Sequence, residues 1–86
     1  MNIIANYPKK DGDRNIYVRY PIMNKAGNWV AVNVCLPTGY RPVPNAHEFE
    51  FETDCKRSCE RDNALWFTKE ETVAIIDESF RNAERG

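Results

Sequence analysis

From Asn15 to Met23 the side chains alternate, with Ile16, Val18, Tyr20 and Ile22 on one face and Tyr17, Arg19 and Met23 on the other. A period of two is the spacing of a half-buried strand. Asn24-Lys25-Ala26-Gly27 interrupts the pattern with the chemistry of a short hairpin loop. Alternation then resumes from Trp29 to Leu36: Val30, Val32, Val34 and Leu36 share one face, and Trp29, Ala31, Asn33 and Cys35 the other. β-Branched residues dominate this return strand, as a packed pleated surface favours. A central β-hairpin is therefore expected.

Ile3-Ile4-Ala5-Asn6-Tyr7 reads as a short first strand, followed by a turn at Asp11-Gly12. Three prolines and a glycine between Pro37 and Asn45 predict an exposed crossing loop. His47-Glu48-Phe49-Glu50-Phe51-Glu52 alternates again, which predicts a strand with Phe49 and Phe51 inward and three glutamates in solvent. Cys55 to Asn63 reads as a charged loop or a single helical turn, and Ala64-Leu65-Trp66-Phe67 as a final strand or an apolar lead-in.

Thr68 opens a helix. Its hydroxyl suits a first-turn amide, and Glu71 three residues later completes a capping box. Glu70 and Glu71 match the positive end of the helix dipole. Val73, Ile76, Phe80 and Ala83 form one helical stripe, and Asp77 and Arg81 stand one turn apart on the polar side. Ile75 lies off that stripe; it either widens the buried face or offers an apolar contact to a second copy in a homodimer.

These elements predict a single α+β domain over residues 1–86, a small antiparallel sheet of three to five strands with one C-terminal amphipathic helix across one face. The expected core is Ile16, Val18, Tyr20, Ile22, Val30, Val32, Val34, Phe49, Phe51, Val73, Ile76 and Phe80.

Composition narrows the function classes. A net charge of −1 gives no global field of the kind that steers a protein to duplex DNA, so a charge-driven function must use a local patch. No apolar run approaches the roughly 18 residues that span a bilayer. Met1 to Asn6 lacks the basic region and apolar core of a signal peptide. Cys35, Cys55 and Cys59 are an odd set, unlike the even, dense set of a secreted disulfide scaffold. A cytoplasmic protein with reduced thiols is expected.

Three constellations bear on chemistry. Cys35, His47, Cys55 and Cys59 make a Cys₃His inventory for a zinc-stapled module, but only Cys55 and Cys59 are close in sequence. A Cys–His nucleophilic pair is possible arithmetically, yet no segment has the turn of a nucleophile elbow. Glu48, Glu50 and Glu52 read as a solubilising stripe, and there is no glycine-rich phosphate loop. The reading therefore expects no enzyme and no cofactor.

The third constellation is the outer hairpin face, with Tyr17, Arg19, Met23, Trp29 and Asn33. Aromatic residues beside arginine are the types enriched at protein–protein hot spots. They also stack unpaired bases on β-sheet platforms. The bland alternative is packing beneath the N-terminal strand or the proline-rich loop. The expectation is a non-enzymatic protein-binding domain, an inhibitor or adaptor of a larger enzyme or complex. Virus- or mobile-element-encoded proteins that block a host enzyme or defence complex are one such group. A single-stranded nucleic-acid platform on Tyr17, Arg19 and Trp29 is the alternative.

Overall fold

The computed structural model describes residues 6–85. Among the described residues five short antiparallel strands make two sheets, and two helices follow them. Strands β1 (Lys9–Asp11) and β2 (Arg14–Ile16) form one hairpin, while β3 (Arg19–Met23), β4 (Trp29–Val34) and β5 (Tyr40–Pro42) form a sheet in the order β3-β4-β5. The helices are α1 (Glu52–Trp66) and α2 (Lys69–Arg85). The fold is α+β, as expected. No helix among the described residues is long and apolar enough to cross a membrane.

The β1–β2 turn falls on Asp11-Gly12, where Gly12 takes φ +63°, open to glycine without a Cβ clash. In the β3–β4 loop Asn24 Oδ1 accepts from the Ala26 and Asn28 amides, each at 3.0 Å, and Gly27 takes φ +87°. The register pairs Tyr20 with Val32 and Ile22 with Val30 on the inner face. Of the first strand expected over Ile3 to Tyr7, residues 3–5 lie outside the described residues, and Asn6 and Tyr7 are not in a strand.

The long strand expected over Asn15 to Met23 is broken at Tyr17 and Val18, and the cause is a side chain. Val34 N–H donates to Val18 C=O at 2.8 Å, one of the two bonds of an antiparallel pair. The other is replaced by the Tyr7 hydroxyl, which donates to Val34 C=O at 2.5 Å and accepts from Val18 N–H at 2.8 Å. The phenol thus satisfies both backbone groups where the ladder opens.

Helix α1 replaces the expected loop, and the strand expected over 47–52 is reduced to a single bridge ahead of it. Only Phe49 bridges to the sheet, exchanging two hydrogen bonds with Trp29, before α1 begins at Glu52. Phe51 is consequently 61% exposed rather than in the core. Ala64, Leu65 and Trp66 end the helix instead of forming a strand. The inward stripe of α1 is Cys55, Cys59 and Asn63, at successive spacings of four.

Helix α2 begins with the expected capping box: Glu71 N–H donates to Thr68 Oγ1 at 3.0 Å, and Thr68 N–H to Glu71 Oε1 at 2.9 Å. The Asp77–Arg81 pair is present. Its buried line, however, runs through Ile75 and Ser79, and Val73 is 60% exposed. Polar docking causes this rotation. Ser79 Oγ donates to Gly39 C=O at 2.8 Å, Thr38 Oγ1 donates to Ser79 C=O at 3.2 Å, and Asn82 Nδ2 donates to Pro37 C=O at 2.7 Å. Ile75 joins Ile16, Val18, Val34 and Phe67 in the core, flanked by Tyr7, Tyr20, Leu36 and Ile76. Phe80 meets Tyr20 edge to face, with centroids 4.8 Å apart.

Both outer strands of the larger sheet carry proline. Val18 and Val34 turn their backbone groups toward one another, so the odd-numbered residues of β3 turn theirs outward, Pro21 included. Cys35 N–H donates to Gly39 C=O, which likewise turns Pro42 of β5 outward. Proline has no N–H to leave unpaired at either edge. At the start of β3 the outward groups of Arg19 are covered by α1: Asn63 Oδ1 accepts from Arg19 N–H at 2.8 Å and Nδ2 donates to Arg19 C=O at 3.0 Å.

Candidate functional site

The sheet register sorts the outer-face residues into two rows. Arg19 lies opposite Asn33, and Asn33 opposite Arg41, which makes one row across all three strands. Met23 lies opposite Trp29, and Trp29 bridges to Phe49, which makes the second. The pair Pro21 and Ala31 separates them. Arg19, Met23, Trp29 and Asn33 therefore belong to one side of the sheet but not to one patch, and Tyr17, outside the strands, lies with Arg19 and Asn33.

The first row opens into a groove of about 300 Å³. Its lining includes Tyr17, Arg19 and Asn33 from the sheet side, Arg14 from β2, and Asp62, Leu65 and Trp66 from the last turns of α1. Met23 and Trp29 do not line it. Met23 stands out at 56% exposure, whereas Trp29 is half-buried.

Tyr17 is partly a packing residue. Its ring meets Tyr7 edge-on, with centroids 5.9 Å apart, and the Arg41 guanidinium lies 5.9 Å from its centroid. Cover comes from the segment before β1 and from the strand within the proline-rich stretch, the two regions that the bland alternative named. Neither closes the groove.

Two arginines, Arg14 and Arg19, line the groove, and Arg41 stands beside it across the Tyr17 ring. Arg19 Nη1 is 3.9 Å from Asp62, and Arg14 Nη2 is 3.8 Å from Asp11. Both contacts are long, single and solvent-facing, so each guanidinium keeps most of its five N–H donors for another acceptor. Arg41 makes its contact to the Tyr17 ring. By contrast, Lys9 serves the fold: its ammonium donates to Trp66 C=O at 2.6 Å at the end of α1 and reaches Glu71 at 3.5 Å.

Apolar surface adjoins these charges. Leu65 is 74% exposed and Trp66 36% exposed, on the helix wall beside Arg19 and Tyr17. Arg14, Arg41, Asp62, Leu65 and Trp66 were not expected at this site. Arg41 was legible in principle, since counting back from a Gly39 turn places it opposite Asn33. Leu65 and Trp66 were not, because they depend on α1.

The other constellations dissolve. Cys55 and Cys59 are buried on the inner face of α1, Cys35 is half-buried after β4, and His47 is exposed with its ring against Phe49. Among the described residues no three His, Cys, Asp or Glu side chains are grouped to hold a metal ion. Burial pushes the Cys59 thiol up to about 12, with the neighbouring Cys55 adding to the rise, and burial also raises Cys55. Glu48, Glu50 and Glu52 are all exposed, and Glu48 Oε1 accepts from Asn24 and Asn28.

The fold and the groove define a small α+β domain with an arginine-lined concavity between sheet and helix. No family model, curated protein or solved structure matches the chain.

Proposed function

We propose that this chain is a non-enzymatic protein-binding domain, an adaptor or inhibitor of a larger enzyme or complex, that meets its partner through the outer face of the β3–β4–β5 sheet. The observation that carries this reading is the groove. It sets Arg14, Arg19 and Tyr17 against exposed Leu65 and Trp66, the mixture of arginine, aromatic and apolar surface in which interface energy concentrates.

The mode of contact is through side chains. A partner adding a strand to the sheet would meet Pro21 on β3 and Pro42 on β5, where no N–H is available. Single-stranded nucleic acid is the alternative that the Arg19–Asn33–Arg41 row invites. Against it, the Tyr17 ring is half-buried, with Tyr7 edge to face and the Arg41 guanidinium 5.9 Å from its centroid, which leaves it less open to a stacked base.

The test is capture of partners from nuclease-treated extract of the native cell by the tagged chain, beside Arg19→Glu and Leu65→Asp variants with unchanged circular dichroism. The expected result is a stoichiometric protein partner retained by the wild type and lost by both variants. Binding that disappears with nuclease, or a partner held equally by all three proteins, counts against the reading.

A further inference from the structure

Resting on that reading, we infer that the partner presents an acidic segment, whose carboxylates are taken by Arg14, Arg19 and Arg41 while an adjoining apolar side chain rests on Leu65 and Trp66. The chain as a whole is slightly acidic, at −1, yet the groove sets Arg14 and Arg19 against Asp62, with Asp11 at its rim and Arg41 beside it over the Tyr17 ring. The charged groups that line the groove are two arginines and one aspartate, a positive excess on a chain that is not basic. Field complementarity of this kind selects an anionic ligand.

The separation of the cations fixes what sort of anion fits. Adjacent strands lie about 4.8 Å apart, so Arg19 and Arg41, one strand removed from each other, are rooted about 10 Å apart. Side chains two residues apart on an extended peptide are separated by about 7 Å. Arginine flexibility covers the difference, so two carboxylates of one extended segment reach both guanidiniums, which accept them in bidentate geometry. A nucleic-acid strand needs a longer cationic track and successive open aromatic rings. Here the row ends after three strands and the Tyr17 ring is half-buried.

Asn63 keeps Arg19 ready for this role. With both backbone groups of Arg19 fixed by the Asn63 amide, and Asp62 of the same helix turn beside its guanidinium, the side chain is directed into the groove before any ligand arrives. Pre-set donors lose less freedom on binding than donors that must be recruited.

Fluorescence anisotropy tests the inference, with the full chain titrated into three labelled probes. These are a short extended peptide alternating Glu with Leu and Ser, the same peptide with Gln for Glu, and oligo(dT). The Glu peptide is expected to bind about tenfold more tightly than the Gln peptide, and to weaken several-fold between about 50 and 300 mM salt. Arg19→Gln combined with Arg41→Gln is expected to remove that advantage, and the Lys counterparts to restore part of it. Equal binding of the Glu and Gln peptides, tighter binding of oligo(dT), or a Glu advantage that survives the Gln variants overturns the inference. If no peptide binds while the captured partner still depends on Arg19 and Leu65, the acidic segment is refuted and the protein-binding reading stands.

Discussion

The side-chain amide of Asn63 pairs with the backbone of Arg19 as a neighbouring strand would, donating to its carbonyl at 3.0 Å and accepting from its amide at 2.8 Å. Asn63 is 7% exposed, so the pairing is sheltered from water. One helix residue thus caps the start of the β3 edge and positions an arginine of the groove.

Replacing Asn63 with Ala leaves an orphaned N–H and an orphaned C=O beneath α1. An unsatisfied buried group costs about 1–3 kcal/mol, so Asn63→Ala is expected to destabilise the fold by about 3 kcal/mol. Asn63→Asp keeps an acceptor for the Arg19 amide but sets a buried carboxylate against the Arg19 carbonyl, and is expected to cost at least as much. Urea unfolding followed by tryptophan fluorescence checks both; a loss under about 0.5 kcal/mol for Asn63→Ala would mean that water replaces the amide.

Tyr7→Phe preserves the ring contacts to Tyr17 and Phe67 while deleting the hydroxyl that joins Val18 to Val34. The expected cost is about 2 kcal/mol, with faster amide exchange at Val18. Unchanged exchange there would show that the strand break has another cause.

The alkaline limb of stability has identifiable owners. Burial pushes Cys59 to about 12 from an ordinary 9.0, and raises Cys55 from 9.0 and Tyr7 from 10.0. The folded chain holds these protons where the unfolded chain releases them, so their contribution is complete below pH 9 and is lost as pH rises toward about 12. The urea midpoint should therefore be level across neutrality and fall beyond pH 9, less steeply in a Cys55→Ala, Cys59→Ala double variant. In native protein, thiol reagent should label Cys35 well before the two helix cysteines.

The start of α2 is sensitive to acid. Glu71 sits below its ordinary 4.5, held there first by the Thr68 amide and then by Lys9. A depressed carboxyl contributes above pH 4.5 and loses that contribution as pH falls through its lowered value. Thr68→Ala is expected to lower Tm by about 5 °C at neutral pH. Glu71→Gln should flatten the acid limb, and an unchanged acid profile would remove Glu71 as its source.

The β3–β4 hairpin and the α2 cap were legible because alternation and the Thr68/Glu71 spacing are local signals. Helix α1 was hidden. Its inner stripe is Cys55, Cys59 and Asn63, which carries no aliphatic periodicity, and its N-cap is Phe51, which makes no side-chain cap. The neighbouring Phe49 and Phe51 alternate like a strand although only Phe49 pairs. Val73 was misplaced because hydroxyl and amide contacts from Thr38, Ser79 and Asn82 set the rotation of α2, and apolar periodicity does not register them. For the same reason the sheet side of the groove was foreseeable and its helix wall was not.

Pro21 and Pro42 also govern how copies of this chain behave when crowded. Chance collisions between sheet rims find too few successive donors to lengthen a ladder, so such encounters come apart. The larger sheet is therefore a poor template for fibre growth, and concentrated protein should stay free of thioflavin-positive deposits until the strands themselves unfold.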